Sequence, residues 1–350
     1  MQSFCLVTGA TGFVGSQLVR ALLDGGERVK ALVRPGSNLR ALEGLSPERF
    51  KIAVGDVRVE QSVFAALAGC SQLYHVAANF KLWDPKPERV IAPTVEGTRA
   101  TLRAAQHRKL EKIVVTSSAG VLGVTATPEP VDESHAFNLD DPEAYFAAKV
   151  AADHVVEEFL EAGLPIVRVL PTTIAGPGDW KPTPNGRLLL EYLKTPSTSH
   201  FPVSRGGINV VDVEDVATGH VLAMQRGAIG ESYILGGENL TFSQVFETLC
   251  DLTGLAEPSA PKSKGLLQLA GALFELNARL RGGEPRITSR LARDYADAFA
   301  YVTSHKAETI LGYTHRSARE ALARSVRWFL ANGYVPQKAA GRVRLELRPV

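Results

Sequence analysis

The stretch that most restricts the fold lies at the start of the chain. Residues 3–9, "SFCLVTG", form a short apolar run that stops at a glycine. Gly9, Gly12 and Gly15 then recur at every third position before a helical pattern, "GSQLVRALLDGG", begins. A buried strand that turns on glycines straight into a helix is the entry to a dinucleotide site: the helix N-terminal amides face a pyrophosphate, and the glycines let the backbone come close. The spacing is GxxGxxG, not the usual GxGxxG. Its place between the first strand and the first helix separates it from ordinary turn glycines.

The same alternation continues. "RVKALVR", "FKIAVGD", "SQLYHVAA", "KIVVTSS" and "LPIVRVLP" read as strands, with helical patterns between them, among them "SVFAALAGC" and "VEGTRATLRAAQHR". The strands are nearly continuous apolar runs without polar alternation, as expected of a parallel sheet covered on both faces. The fold expected is α/β: a Rossmann-type doubly wound parallel sheet, with a smaller, discontinuous C-terminal substrate domain. After Pro171 the texture changes. Residues 172–187 are rich in Pro and Gly and read as loop, and "INVVDVEDVATGHVLAMQ" (208–225) returns to strand and helix. The expected division is 1–170 plus 207–226 for the nucleotide-binding domain and 171–206 plus 227–334 for the substrate domain. Residues 335–350 form a tail, read as disordered or as an edge strand.

A chain of 350 residues is long for one core, so a large domain with a companion is natural. A net charge of +2 gives no electrostatic case for a nucleic-acid partner. Three cysteines without a CxxC pair read as free thiols, and eight scattered histidines show no metal-ligand spacing, so no metal is expected. The opening residues lack the basic region and apolar core of a signal peptide, and no apolar run reaches roughly 18 residues. A soluble cytoplasmic protein without stable membrane insertion is expected. Residues 265–280, "GLLQLAGALFELNARL", read as an amphipathic helix packed on the body; a membrane-surface or subunit-contact role is the alternative.

Two further features bear on chemistry. The second strand ends at Arg34, followed by Ser37, Asn38 and Arg40. An acid there would bind the ribose hydroxyls of NAD, whereas Arg34 suits the 2′-phosphate of NADP, so NADP(H) is preferred over NAD(H). Asp56, just past the third strand, suits either the adenine amino group or a plain turn. In "EAYFAAKVAAD", Tyr145 and Lys149 are four residues apart and share one helix face.

With these motifs in order, the chain resembles the extended short-chain dehydrogenase/reductase family, which includes NAD-dependent epimerases and dehydratases. The resemblance rests on "TGATGFVG" (8–15), "GDV" (55–57), "HVAA" (75–78), "TSSAG" (116–120), Tyr145-x-x-x-Lys149 and "LPTTIAGPGD" (170–179). Within the family, "HVAANFKLWDPKPE", "KPTPNGR" and "YILGGENLT" look most like the dihydroflavonol-reductase-like branch and the bacterial hopanoid-associated sugar epimerases. The resemblance implies that Ser118, Tyr145 and Lys149 are catalytic. Tyr145 would exchange a proton with the substrate oxygen, and Ser118 would hydrogen-bond it. Lys149 would favour the phenolate and bind the nicotinamide ribose. It also implies a cofactor shell of Gly9, Thr11, Gly12, Phe13, Val14, Gly15, Arg34, Asp56, Val57, Ala77, Ala78, Tyr145, Lys149, Pro171, Thr172 and Ile174. Thr116 and Ser117 read as strand-end residues. A homodimer through a bundle that includes the Tyr/Lys helix is implied as well.

Departures narrow the reaction. Ala119 and Gly120 stand where family dehydratases carry an Asp–Glu pair, which disfavours dehydration. Thr94 in "PTVEGT" replaces the Asn of many epimerases, and "GGINVVDVEDVA" lacks the aromatic and basic residues of nucleotide-sugar enzymes. The expected activity is NADPH-dependent reduction of a ketone or aldehyde, with a small-molecule carbonyl or sugar substrate. A nucleotide-sugar epimerase is the alternative, and an NADP-binding regulator without turnover is a third reading. Asn79, Lys81, Trp180, Arg187 and Arg205 are the candidates for substrate contact, Arg187 or Arg205 as a diphosphate clamp. Trp83 and Trp180, in loops after sheet strands, read either as pocket walls or as loop anchors.

Overall fold

In the first strand, β1 (Phe4–Thr8), Cys5 and Val7 belong to one buried apolar cluster and Leu6 to another. Both faces of the strand are therefore covered, which is why its sequence shows no polar alternation. A computed structural model describes residues 3–195, 203–258 and 263–344.

The remaining strands are β2 (Arg28–Val33), β3 (Phe50–Val54), β4 (Cys70–His75), β5 (Lys112–Thr116), β6 (Ile166–Pro171), β7 (Thr173–Ala175), β8 (Gly207–Asp212), β9 (Ser232–Leu235), β10 (Glu238–Thr241) and β11 (Phe299–Ala300). The first helices are α1 (Phe13–Asp24), α2 (Glu60–Ala66), α3 (Glu88–Arg108), α4 (Ala144–Glu161), α5 (Pro184–Lys194) and α6 (Val213–Arg226). They are followed by α7 (Phe242–Thr253), α8 (Lys264–Arg281), α9 (Ser289–Tyr295), α10 (Ala318–Ala331) and α11 (Gln337–Ala340).

Seven strands form one sheet in the order β3-β2-β1-β4-β5-β6-β9, and every pairing is parallel. The chain runs outward from β1 through β2 to β3, then returns to place β4 on the other side of β1. That reversal opens a crevice at the C-terminal ends of β1 and β4, where such sheets bind ligands. Helices α1 and α6 pack together on one face, and α3 packs against α2 and α4 on the other. This is the doubly wound Rossmann-type arrangement expected.

A smaller sheet centres on β8, which pairs with β10 antiparallel and with β7 and β11 parallel. A second core lies beneath it, built from α5, α7 and α10, with Tyr192, Phe246, Val326 and Phe329 buried. Strand pairing thus puts β8 in the small sheet and β9 in the large one, while α6 between them packs on α1. Residues 172–187, read as loop, contain β7 and the start of α5. Pro184 takes the first turn of α5, where its missing N–H costs nothing, and Thr183 caps it. The described part of the tail is not an edge strand: it forms α11 and packs Ala339 into the second core. Residues 345–350, and so most of the "RVRLELR" alternation, lie outside the described residues.

Candidate active site

The turn between β1 and α1 has the build of an anion cradle. Gly9 adopts φ +69°, and a Cβ there would stand 2.8 Å from the Ala77 backbone. A Cβ on Gly15 would stand 2.2 Å from the Gly9 carbonyl oxygen. Side chains are therefore excluded at both positions, and the loop lies flush against the end of β4. Helix α1 starts at Gly12 with no side-chain cap and no acid in its first turn. Its leading amides thus remain available to a pyrophosphate, and the helix dipole favours one there. These residues fit a dinucleotide.

A buried chain of hydrogen bonds holds the cradle in place. The Thr8 hydroxyl oxygen accepts from the amides of Val76 (3.1 Å) and Ala77 (3.2 Å), fixing the backbone that Gly9 faces. The same hydroxyl meets His75 Nδ1 at 3.0 Å, and His75 Nε2 lies 3.4 Å from the Thr98 hydroxyl. Burial pulls the His75 pKa down to about 3, with Lys149 adding to the effect, so the ring is neutral. Sequence reasoning gave Thr8 and His75 no role of their own. No local pattern marks them, because the bonds of Thr8 to His75, Val76 and Ala77 span 67 to 69 residues.

Tyr145, Lys149 and Asp153 follow one another along a single stripe of α4. Lys149 is buried, and its ammonium donates to the Thr116 backbone carbonyl at 2.8 Å. Burial pulls its pKa down to about 8, against the opposing charge of Asp153. Asp153 accepts from the Ser117 hydroxyl at 2.6 Å. Burial pushes its carboxyl up, while Ser117 and Lys149 hold it down. Thr116 also meets buried His220 Nε2 at 2.8 Å, so both supposed strand-end residues are tied to the chemistry-bearing side chains. Asp153 was findable in sequence as the next helical step after Lys149. Burial raises the pKa of half-buried Tyr145, the nearby Ser118 hydroxyl lowers it, and Asp153 raises it again. At neutral pH the phenol is protonated, with the Ser118 hydroxyl nearby. The ring of Phe146 packs edge-on to Tyr145 and stacks on Tyr295.

The other sequence-predicted residues divide. Thr11, Gly12, Phe13 and Val14 lie in the cradle, and Ala77 and Ala78 follow β4. Arg34 is exposed at the end of β2, and its charge helps to lower the Asp56 carboxyl, chiefly held down by the hydrogen-bonded Arg58. Asp56 accepts from Arg58 Nη2 at 2.7 Å, and Val57 packs on Gly97 of α3. Pro171 ends β6 and Ile174 lies in β7, while the Thr172 hydroxyl donates to buried Asn209 at 2.8 Å. Trp180 is a loop anchor in an aromatic group: it packs edge-on to Trp328 at 4.8 Å, and Arg40 lies over its ring. Trp83 is buried. Arg187 pairs with Glu284 at 2.5 Å. Lys81 lies 3.7 Å from Asp84, Asn79 accepts from the Lys81 amide, and Arg205 is exposed with its amide bonded to Ala296.

A cavity between the small sheet and helices α5, α7 and α10 is lined chiefly by apolar side chains, including Leu189, Val245, Phe246 and Leu322. It reaches Phe13 and Ile174 but none of Ser118, Tyr145 and Lys149. Among the described residues, no group of three or more His, Cys, Asp and Glu is arranged to hold a metal, and no helix is long and apolar enough to cross a membrane.

A glycine cradle at the switch point of a parallel sheet, with a Ser/Tyr/Lys group beside it, defines an NAD(P)-dependent oxidoreductase of the short-chain dehydrogenase/reductase type. The chain belongs to the NAD dependent epimerase/dehydratase family, whose model matches residues 5–236. A putative dihydroflavonol 4-reductase of Synechocystis sp. is 36% identical over 335 residues, covering 94% of this chain and 95% of that protein. Sterol demethylase protein B of Methylococcus capsulatus is 33% identical over 337 residues, 94% of this chain and 99% of that one. The crystal structure of gox2253 superposes with a TM-score of 0.83 at 37% identity, covering 95% of this chain and all of the other.

Proposed function

We propose that the protein reduces a ketone or aldehyde to an alcohol, with NADPH as the reductant. The observation that carries this reading is the placement of Tyr145 and Lys149 on one face of α4 at the C-terminal edge of the sheet, with Lys149 buried and bonded to the Thr116 carbonyl beside Ser118, and burial keeping the Tyr145 phenol protonated. A proton donor is what reduction needs. When bound, the cofactor supplies the hydride that the carbonyl carbon receives. Tyr145 Oη gives its proton to the carbonyl oxygen, and Ser118 Oγ holds that oxygen. Lys149 stands one turn behind, where its charge steadies the phenolate once the proton has left. Gly9, Thr11, Gly12, Phe13, Val14 and Gly15 would hold the pyrophosphate and Arg34 the 2′-phosphate. Asp56, Val57, Ala77 and Ala78 would flank the adenosine, and Pro171, Thr172 and Ile174 the nicotinamide. The reductase name of the Synechocystis relative supports this reading. A homodimer through α3 and α4 belongs to the same proposal, since Ala147, Val150 and Ala151 of α4 are only half-buried in one chain.

The test incubates the purified protein with NADPH or NADH and a panel of ketones, aldehydes and nucleotide sugars. Net consumption of NADPH supports reduction. Sugar interconversion without net consumption would establish an epimerase instead. Tyr145→Phe should retain cofactor affinity and lose turnover, and unchanged turnover would remove Tyr145 as the proton donor.

A further inference from the structure

Helix α8 has two unlike faces. Toward the body it buries Leu267, Gly271 and Ala278. Gly271 lies against α9 so closely that a Cβ would stand 2.5 Å from the Ser289 amide nitrogen. Glu275 accepts from that amide at 2.7 Å and from the Ser289 hydroxyl at 2.8 Å. On the opposite face Leu266, Leu269, Leu273, Leu276 and Leu280 are 53%, 60%, 59%, 53% and 77% exposed. Their alternating steps of three and four residues align them in one straight seam, on a helix about 27 Å long. An unbroken exposed leucine seam is rare on a soluble surface unless something binds it.

Two occupants suit such a seam, a second copy of the helix or a lipid surface, and charge separates them. The exposed charges of α8 are Lys264, Arg279 and Arg281, all positive, because its one acid, Glu275, is turned to α9. Antiparallel pairing of two copies sets Lys264 of each near the C-terminal arginines of the other. Parallel pairing sets each cation near its own equivalent. Either way like charges meet without an acid on the helix to answer them. A surface of phosphate headgroups answers all three while the leucines enter the acyl boundary.

We propose that α8 docks the protein onto an anionic bilayer, with the five leucines immersed and Lys264, Arg279 and Arg281 among the lipid phosphates. This is surface docking, not insertion across the membrane. The helix is also connected to the candidate site. Thr288, the N-cap of α9, donates to Glu143 at the start of α4, and Tyr295 at the end of α9 stacks on Phe146. Docking is therefore linked to the Tyr145 end of α4 through α9. Delivery of membrane-dissolved carbonyl compounds to Tyr145 follows, a consequence that rests on the proposed reduction.

Flotation of the full chain with vesicles tests the docking without reference to turnover. Phosphatidylcholine vesicles containing phosphatidylglycerol should bind it roughly 10- to 100-fold more tightly than phosphatidylcholine alone. The double substitution Leu269→Glu/Leu273→Glu should abolish binding to both, and Lys264→Glu/Arg279→Glu/Arg281→Glu should remove the anionic preference. All these side chains are exposed, so both variants should keep the wild-type melting temperature and NADPH affinity. Vesicle binding that survives the leucine substitutions overturns the proposal. So does wild-type protein that ignores both vesicles, or a leucine variant that drops to a smaller oligomer, which would make the seam a contact between copies. Loss of carbonyl reduction in vesicle-free buffer bears on the reaction alone and leaves the docking reading intact.

Discussion

Replacing Gly9 with Ala tests the cradle most directly. Two separate terms act at this position. The φ of +69° lies in the left-handed region, which costs an L residue about 1–2 kcal/mol. The new Cβ would also stand 2.8 Å from the Ala77 Cα and amide nitrogen. That backbone cannot retreat freely, because the Val76 and Ala77 amides are bonded to the Thr8 hydroxyl at 3.1 and 3.2 Å. Overpacking of this kind costs about 1–3 kcal/mol more. The sum is about 2–5 kcal/mol. Gly163 supplies the control, since its φ is +85° and a Cβ there meets nothing within 4 Å, so Gly163→Ala carries only the first term. Urea unfolding of both variants isolates the steric term as their difference, expected to be at least about 1 kcal/mol. NADPH titration in parallel should show an affinity loss of more than about tenfold for Gly9→Ala and none for Gly163→Ala. Equal destabilisation of the two variants, or full NADPH affinity in Gly9→Ala, would refute the reasoning.

Other expectations follow from the charges around the site. Lys149 releases its proton near 8 in the folded chain and near 10.5 unfolded, so between those values the unfolded state holds more protons and stability rises with pH. Lys149→Met should raise stability at pH 7 by up to about 3 kcal/mol and remove that slope, while turnover falls; a variant no more stable than wild type would speak against a buried ammonium. His75 titrates near 3 folded and near 6.5 unfolded, so acid favours the unfolded chain throughout that window. The stability of wild type relative to His75→Gln should therefore fall by about 3 kcal/mol between pH 7 and pH 4, as read from urea midpoints; a constant difference would count against the neutral buried ring. Arg34→Ala should weaken NADPH about 10- to 100-fold and leave NADH nearly unchanged, and equal effects on the two cofactors would end the 2′-phosphate assignment.

Features governed by local spacing were legible without coordinates. Apolar runs alternating with helical patterns imply a parallel sheet, because strands buried on both faces cannot carry polar residues. The glycines at 9, 12 and 15 state that a backbone must approach something closely, and Tyr145 and Lys149 must share a face because a helix turn brings them there. Tertiary structure alone decided what lies across the chain from each of these. Thr8 and His75 brace the cradle, and Ser117 and Asp153 stand behind Lys149, through contacts that join residues 36 to 69 positions apart. Composition does not encode such pairings. The same holds for Trp180, whose packing on Trp328 no local pattern announces, and for β9, which joins the large sheet after a detour through the small one. The leucines of α8 show the limit most plainly. Periodicity announces an amphipathic helix, but a leucine seam reads alike whether it faces a core or water, and only the packed fold leaves this one outward.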